Sequence, residues 1–247
     1  MICLIDGDIL MYRCAWSNDK SDDFQDVKDH VVTLMYEILS NNNSKDYISY
    51  LTGRNNFRYD IPESKDYKGT RKSEKPKWFL ETKDFMIKEL GYHLTDRIEA
   101  DDALIISSKR HPNSVICTTD KDLLQYPGTF YNINHKTITV LTKEEGLRNF
   151  WKQMLTGDVS DNVKGVEGIG PKIADKILNS VDQSHYMYRV MSAYVSKYGE
   201  YEGVRFFYEN YRMLKLLDNH ENFVEPEIRH MDYSIPIENY AGKRSVT

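Results

Sequence analysis

The chain has 247 residues, of which 40% are hydrophobic and 29% are charged, and its formal net charge is −5. This is the composition of an ordinary globular protein that can form one large domain, or a core with a small helical module. No apolar run approaches the roughly 20 residues that a membrane-spanning helix needs, and the early acidic residues do not resemble a signal peptide. The negative charge argues against a protein that coats DNA with basic residues, so any phosphate contacts must come from a local basic patch.

Apolar periodicity predicts alternating strands and helices. Residues 53–77 are polar and contain glycine and proline, which predicts a long loop or mobile segment. The pattern from Trp151 onward is mostly helical. The other predicted elements, in chain order, are a strand over 2–5, a helix over 24–39, a strand over 47–51, a helix over about 78–90, a helix over 100–108, a strand over 115–119, a hairpin or two edge strands over 130–134 and 137–140, and a helix from a capping box at Thr142 and Glu145 to about Leu155.

This alternation predicts an α/β fold, in which a mainly parallel sheet is flanked by helices. We expect the α/β core to span 1–150 and a helical module to span 151–247. In such sheets the ligand site lies beyond the carboxyl ends of the strands.

Three cysteines, Cys3, Cys14 and Cys117, are scattered without the spacing of metal ligands. We interpret them as reduced core residues, and the cytoplasm is therefore the expected location.

Acidic side chains stand in four short clusters where a predicted strand ends or a helix begins. Clustered carboxylates repel one another unless a cation lies between them, and an oxygen-rich, histidine-poor set suits Mg²⁺ or Mn²⁺. Two such ions about 4 Å apart can hold the attacking and leaving oxygens of a phosphodiester. Each cluster alone could equally be a turn, a helix cap or a helix N-terminus. The acids are Asp6 with its partner Asp8, then Glu99, Asp101 and Asp102, then Asp120 and Asp122, and finally Asp158 and Asp161.

A glycine-rich segment over 165–174 follows the last acidic cluster. Gly168 and Gly170 allow the backbone to approach a phosphate closely, and the N–H groups of a helix that begins at Pro171 can bind it. Lys172 and Lys176 add positive charge. The segment therefore predicts a hairpin between two helices that holds a DNA backbone without reading bases. The alternative is a simple helix–helix turn.

A second basic segment lies within the predicted loop. Taken alone, such a run would be a solvated face, but beside an acidic metal site it is expected to hold phosphates. Tyr12 and Tyr67 are candidates for stacking on bases. The basic residues are Lys68, Arg71, Lys72, Lys75 and Lys77.

Taken together, these motifs resemble the 5′ nuclease family, which includes flap endonucleases, phage 5′→3′ exonucleases and ribonuclease H, and the 5′-exonuclease domain of bacterial DNA polymerase I. They fall in the family's order and cover residues 1 to about 180. The length looks most like the stand-alone phage enzymes, which would act in the host bacterial cytoplasm. The matching motifs are LIDGDILMYR (4–13), YKGTR (67–71), EADD (99–102), TTDKDLLQ (118–125) and GDVSDNVKGVEGIGPKIA (157–174).

The resemblance implies a PIN-like nuclease core with a flexible arch at about 53–77, and a helix–three-turn–helix motif that binds DNA. It also implies two divalent metal ions, Mg²⁺ with Mn²⁺ as a substitute, and often a K⁺ ion at the hairpin. Asp6, Glu99, Asp101 and Asp120 would serve one metal, and Asp122, Asp158 and Asp161 the other. Asp102 would be a shared or outer-shell acid. Asp8 matches a position that varies in the family. Lys68 and Arg71 would contact the scissile phosphate, with Arg13 nearby, and Tyr67, Lys72, Lys75, Gly168, Gly170, Lys172 and Lys176 would contact DNA.

One position departs from the family pattern. The family usually has an acid shortly after the second core strand, but Gly53 stands there in this chain. A ligand or a water-holding acid is therefore missing, or is supplied elsewhere by Asp60 or Asp66.

The expected function is that of a metal-dependent, structure-specific 5′ nuclease in DNA replication or repair. Its substrates would be flaps, nicks or free 5′ ends of DNA, or RNA in RNA–DNA hybrids. A monomer is expected, and a replication-protein partner and the preference between exonuclease and flap endonuclease activity stay open. One alternative is a DNA-binding homologue with weakened catalysis, which Gly53 supports. Another is an RNA-specific PIN-type nuclease, which would not need the hairpin at 165–174.

Overall fold

The structure is a computed structural model that describes residues 1–61, 67–70 and 74–241. The strands are β1 (Ile2–Asp6), β2 (Asp46–Arg54), β3 (His93–Asp96), β4 (Ser114–Thr118), β5 (Gly128–Asn132), β6 (Thr137–Leu141), a separate ladder of β7 (Gly157–Asp158) and β8 (Val163–Lys164), and β9 (Arg229–His230). The central sheet has the order β3-β2-β1-β4-β5-β6, with β9 paired to β2. The pairs from β3 to β5 are parallel, whereas β6 and β9 are antiparallel to their neighbours.

Helices cover both faces of the sheet. Because side chains alternate along a strand, Cys3 and Ile5 of β1 pack in one core cluster with α1, α2 and α3, while Leu4 packs on the other face with α4. The α/β class is therefore confirmed. The helices are α1 (Gly7–Ser17), α2 (Phe24–Asn41), α3 (Phe79–Lys88), α4 (Ala100–Arg110), α5 (Lys143–Thr156), α6 (Pro171–Asn179), α7 (Tyr186–Tyr198), α8 (Glu200–Leu214) and α9 (Glu238–Ala241).

A third core cluster belongs to the helices that follow the sheet. Phe150 of α5, Ala174 of α6, Tyr194 of α7 and Phe207 of α8 are buried together in it. The division near residue 150 stays a prediction, and α5 runs continuously across that position. Among the described helices, none is both long and apolar enough to cross a membrane.

Several predicted element boundaries agree with local chemistry. The capping box at the start of α5 is formed, since Thr142 and Glu145 each accept from the other's backbone N–H. Strands β5 and β6 pair as a hairpin, which is one of the two alternatives that the sequence predicts. The sequence patterns predict neither α1 nor β3. Asp6 caps α1 directly at the end of β1, and the Asp-Gly-Asp sequence at this junction is equally typical of a turn. Strand β3 is too short to show an alternating apolar pattern.

Candidate functional site

The central acids lie where the topology predicts, at the carboxyl ends of neighbouring parallel strands. Asp6 ends β1, and Asp120 follows the end of β4. Thr118 joins them, because its hydroxyl donates to Asp6 at 2.7 Å and accepts the backbone N–H of Asp120 at 2.9 Å. Asp120 in turn accepts the backbone N–H of Asp122 at 2.8 Å. The turn after β4 is therefore a rigid support that aims these acids at the end of β1.

These acids open into a cavity of about 1160 Å³. Its walls come from α1, the end of β2, the start of α4, the turn after β4 and the turn between β7 and β8. Of the nine acids in the four sequence clusters, only Asp102 is not part of its lining. The others are Asp6, Asp8, Glu99, Asp101, Asp120, Asp122, Asp158 and Asp161.

The carboxylates perturb one another strongly. Burial, then the neighbouring charges of Asp8 and Asp120, raise the pKa of Asp6 to about 7. Burial, then Asp120 and Asp158, raise the pKa of Asp122 to about 8. The pKa values of Asp101 and Asp120 are also raised, first by burial and then by nearby carboxylates. The cavity therefore holds more negative charge than its own cations balance, which is the electrostatic signature of a cation site.

Asp158 differs from these acids because the hydrogen bonds that it accepts lower its pKa. Burial opposes its ionisation, but a hydrogen bond with the Asp122 side chain and the backbone N–H groups of Asp161 and Ser160 lower its pKa. The Ser160 N–H donates at 2.7 Å and the Asp161 N–H at 3.2 Å. The hydrogen bond between Asp158 and Asp122 therefore raises the pKa of Asp122 and lowers the pKa of Asp158.

Lys68 supplies part of the missing positive charge. Its ammonium group forms an ion pair with Glu99 and lies 3.9 Å from an Asp161 carboxylate oxygen. The hydroxyl of Tyr67 lies within hydrogen-bond distance of the same two acids, at 3.0 Å from Glu99 and 2.8 Å from Asp161. Tyr67 is 5% exposed, so its ring cannot stack on DNA in this arrangement, contrary to the prediction. It positions two acids instead.

The donor set fits hard divalent cations, because the side chains lining the acidic end of the cavity offer carboxylate oxygens. Within the described ranges, no three acidic, histidine or cysteine side chains are arranged as they would be around a bound metal ion. The contacts of Lys68 and Tyr67 with Glu99 and Asp161 account for part of this, since they occupy the oxygens that a cation would use. The cavity fits the metal in its chemistry, and metal binding requires these side chains to move.

Asp102 lies outside the cavity because a buried arginine holds it. Arg58 is fully buried and donates two hydrogen bonds to Asp102, at 2.6 and 2.8 Å. Asp102 also accepts the backbone N–H groups of Glu99 at 3.0 Å and Leu217 at 2.8 Å. The expectation of a shared metal ligand is therefore wrong in this structure. Asp102 supports Glu99 from behind, which agrees with the outer-shell part of the expectation.

The remaining residues that were predicted to contact DNA differ in whether they line the cavity. Arg13 is not part of the cavity lining and donates to Asn134 at 2.8 Å, so the expected position beside the scissile phosphate does not agree with the structure. Lys75 and Tyr12 line the cavity. Arg71 and Lys72 lie outside the described residues, and their roles stay predictions.

The backbone of this chain leaves no room for an acidic side chain at Gly53. A side chain there would collide with the carbonyl oxygen of Thr95 on β3. Asp60 does not line the cavity, and Asp66 lies outside the described residues.

Several polar residues of the site are not predicted from the sequence, among them Thr118, Lys83 and Lys121. Thr118 joins Asp6 to Asp120, and its place directly before the Asp-Lys-Asp motif is a signal that could have identified it. Lys83 and Lys121 line the cavity from α3 and from the turn after β4. Lys83 reaches the site only through helix packing, which leaves no local trace in the sequence.

The glycine-rich segment connects β8 to α6. Gly168 has a φ of +85°, in the left-handed region that favours glycine, and a side chain at Gly168 or Gly170 would meet nothing within 4 Å. Gly170 precedes Pro171, the first residue of α6, and Lys172 and Lys176 are exposed on that helix. The structure thus presents an open glycine turn, a helix N-terminus and two lysines on the same chain segment as Asp158.

Sequence comparisons agree with the motifs. No family model matches the chain. It is 29% identical over 209 residues to DNA polymerase I of Bacillus subtilis (strain 168), covering 73% of this chain and 23% of that protein. It is 29% identical over 202 residues to a 5′–3′ exonuclease of Mycoplasmopsis pulmonis (strain UAB CTIP), covering 72% of this chain and 65% of that protein. The chain therefore spans about a quarter and about two thirds of these relatives.

Solved structures share the fold. A T5 5′-exonuclease with divalent zinc ions bound has a TM-score of 0.57 and 17% identity, over 87% of this chain and 99% of that chain. A bacteriophage T5 flap endonuclease in complex with DNA and metal ions has a TM-score of 0.58 and 16% identity, over 86% and 98%. Flap endonuclease-1 from Methanococcus jannaschii has a TM-score of 0.60 and 16% identity, over 90% and 80%. These structures show the PIN-like α/β fold that the motifs predict, and the two sequence relatives agree with the resemblance to 5′ nucleases.

Proposed function

From its kinship with the 5′ nucleases, we propose that this chain hydrolyses phosphodiesters at or near 5′ ends of DNA in a reaction that depends on divalent metal ions. The single observation that carries the proposal is the convergence of eight carboxylates, from separate parts of the chain, in one cavity. Raised pKa values for Asp6, Asp101, Asp120 and Asp122 support a cation-binding role. Mg²⁺ is the proposed ion, with Mn²⁺ as a substitute.

Two divalent cations in this cavity would generate a nucleophilic hydroxide and stabilise the leaving 3′ oxygen. Asp6, Asp101 and Asp120 would hold one of them, and Asp122 and Asp158 the other. Glu99 and Asp161 become available as ligands when Lys68 leaves them.

Once it has left Glu99 and Asp161, Lys68 would be able to bind the scissile phosphate. Its ammonium group lies in the wall of the acidic cavity, beside Glu99 and Asp161. There it would bind the non-bridging oxygens and stabilise the charge that develops in the transition state. Arg71 is proposed to assist it, since it stands three residues further along the same motif.

The hairpin at 165–174 is proposed to hold the DNA backbone. Gly168 and Gly170 leave room for a phosphate next to the backbone, and Lys172 and Lys176 are exposed beside it. Asp158 and Asp161 lie on the same connection as the hairpin, so a grip there would set the distance between the held duplex and the cleaved bond. A K⁺ ion at the hairpin, a monomeric state and a cytoplasmic location are parts of the same proposal.

The test is a digest of 5′-labelled flap, nicked, blunt and RNA-primed duplexes with Mg²⁺, with Mn²⁺ and with EDTA. We expect short 5′ products with either metal and none with EDTA. The relative rates on the four substrates would rank exonuclease, flap endonuclease and RNase H activity. Binding of all DNA substrates without any cleavage would favour the weakened homologue, and cleavage of single-stranded RNA alone would favour the RNA-specific nuclease.

A further inference from the structure

The end of β2 is a gap in the ring of acids. Strands β1 and β2 are parallel neighbours, and Asp6 at the end of β1 lies opposite Tyr50 of β2. The residues that follow on β2 and line the cavity are Thr52, Gly53 and Arg54, none of which is acidic. Gly53 donates its backbone N–H to the Thr95 hydroxyl at 3.2 Å, and a side chain there would collide with the Thr95 carbonyl. Position 53 of the strand therefore cannot supply a carboxylate here.

A carboxylate reaches this place from α1 instead. Both carboxylate oxygens of Asp8 lie near the backbone N–H of Thr52, at 3.2 and 3.3 Å. One N–H uses only a small part of the acceptor capacity of a carboxylate, which has about four lone-pair sites. Asp8 lines the cavity, and its charge acts on both Asp6 and Lys83.

Gly7 makes this approach possible. A side chain at Gly7 would collide with the carbonyl oxygen of Tyr50 and would lie 2.7 Å from the ring of Tyr92. Only glycine lets the first turn of α1 press against β2, and that contact brings the next residue, Asp8, over the end of the strand. The Asp-Gly-Asp sequence therefore acts as a unit. Asp6 ends β1, Asp8 lies over the end of β2, and Gly7 makes the close contact that brings Asp8 there.

We propose that Asp8 is a carboxylate of the metal site and would help to hold a divalent cation on the β2 side of the cavity. This rests on the proposed function, because it assumes that the cavity binds the cation. The Thr52 N–H keeps Asp8 extended toward the cavity, and Lys83, which donates to the Thr52 carbonyl at 3.1 Å, braces the same strand end.

The test measures Mn²⁺ binding to the protein without DNA, by the loss of the free-ion electron paramagnetic resonance signal. Asp8→Asn keeps an acceptor for the Thr52 N–H and removes the charge, and we expect it to weaken Mn²⁺ binding about tenfold or more. Asp8→Glu keeps the charge and is expected to bind within about threefold of the parent on the same scale. The matched control is Asp46→Asn, which removes an exposed acid at the opposite end of β2 and should bind as the parent does.

The variant Asp120→Asn distinguishes a failure of the inference about Asp8 from a failure of the proposed metal site. If Asp120→Asn loses Mn²⁺ binding while a folded Asp8→Asn protein binds with parental affinity, Asp8 is only a brace for β2 and the inference about it is overturned. If neither variant changes Mn²⁺ binding, the proposed metal site itself is overturned. Circular dichroism of each variant checks the fold first, and Asp8→Glu provides a second variant should Asp8→Asn not fold.

Discussion

Removing the positive charge of Arg58 should destabilise the protein more than removing any exposed cation. Arg58 and Asp102 are both fully buried and are joined by two hydrogen bonds, at 2.6 and 2.8 Å. Arg58 also donates to the carbonyl oxygens of Met213 at 2.9 Å and Lys215 at 3.0 Å, and so ties the end of α8 to α4. Arg58→Met would leave a buried carboxylate without its counter-charge.

The expected loss of stability in Arg58→Met follows from that geometry. Two unit charges about 4 Å apart attract by about 4 kcal/mol at an effective dielectric constant of about 20. Loss of one partner of a buried ion pair costs about 3–5 kcal/mol in measured cases, because the remaining charge stays desolvated. In a chain of this length, that loss corresponds to a fall in Tm of roughly 10 °C.

Urea unfolding at pH 7, followed by circular dichroism, measures this loss. Lys88→Met is the matched control, because Lys88 forms an exposed ion pair with Asp84 on α3 and such pairs contribute about 0–1 kcal/mol. The double variant Arg58→Met/Asp102→Asn should recover part of the loss, since no unpaired charge remains. An Arg58→Met protein as stable as Lys88→Met would refute the reasoning.

Three further predictions concern the cavity and the hairpin. The raised pKa values of Asp6 and Asp122 mean that the folded state binds more protons than the unfolded chain, so without metal the free energy of unfolding should fall as pH rises from about 4 to about 8. Mg²⁺ should reverse this fall, and a flat profile without metal, from urea titrations at each pH, would contradict it. Lys68→Ala should slow single-turnover cleavage of a flap more than it weakens DNA binding, because Lys68 is proposed to act on charge in the transition state; equal rates would return Lys68 to a structural role. Gly170→Val should fold, since a side chain there meets nothing within 4 Å, but it should weaken duplex binding measured by fluorescence anisotropy, whereas Gly165→Val should not fold because a side chain there collides with backbone. Parental affinity of the folded Gly170→Val protein would show that the hairpin is only a turn.

The convergence of Asp6 and Asp120 could be predicted from sequence because it depends on topology alone. Alternating β and α segments place strands in parallel, and parallel strands end at one edge. The start of α6 at Pro171 was predictable for a local reason, since glycines and a proline at fixed positions impose backbone geometry.

The outcomes for Asp102 and Tyr67 depend on tertiary packing that no local pattern records. Asp102 lies outside the cavity because it is bound to Arg58, which is 44 positions away in the chain. Tyr67 is buried between Glu99 and Asp161 because those acids come from two other parts of the chain. The close contacts at Gly7 and Gly53 likewise depend on which strand lies next to each glycine.

The most direct test of the metal-dependent nuclease is the single-turnover cleavage of a 5′-labelled flap by Asp120→Asn, with excess enzyme over substrate and with Mg²⁺. Asparagine keeps the size of the side chain and removes the charge that the cation needs. We predict that the rate falls by orders of magnitude while binding of the same flap in Ca²⁺ or EDTA stays close to that of the parent. Parental cleavage by Asp120→Asn, or full cleavage by the parent in excess EDTA, would contradict the account.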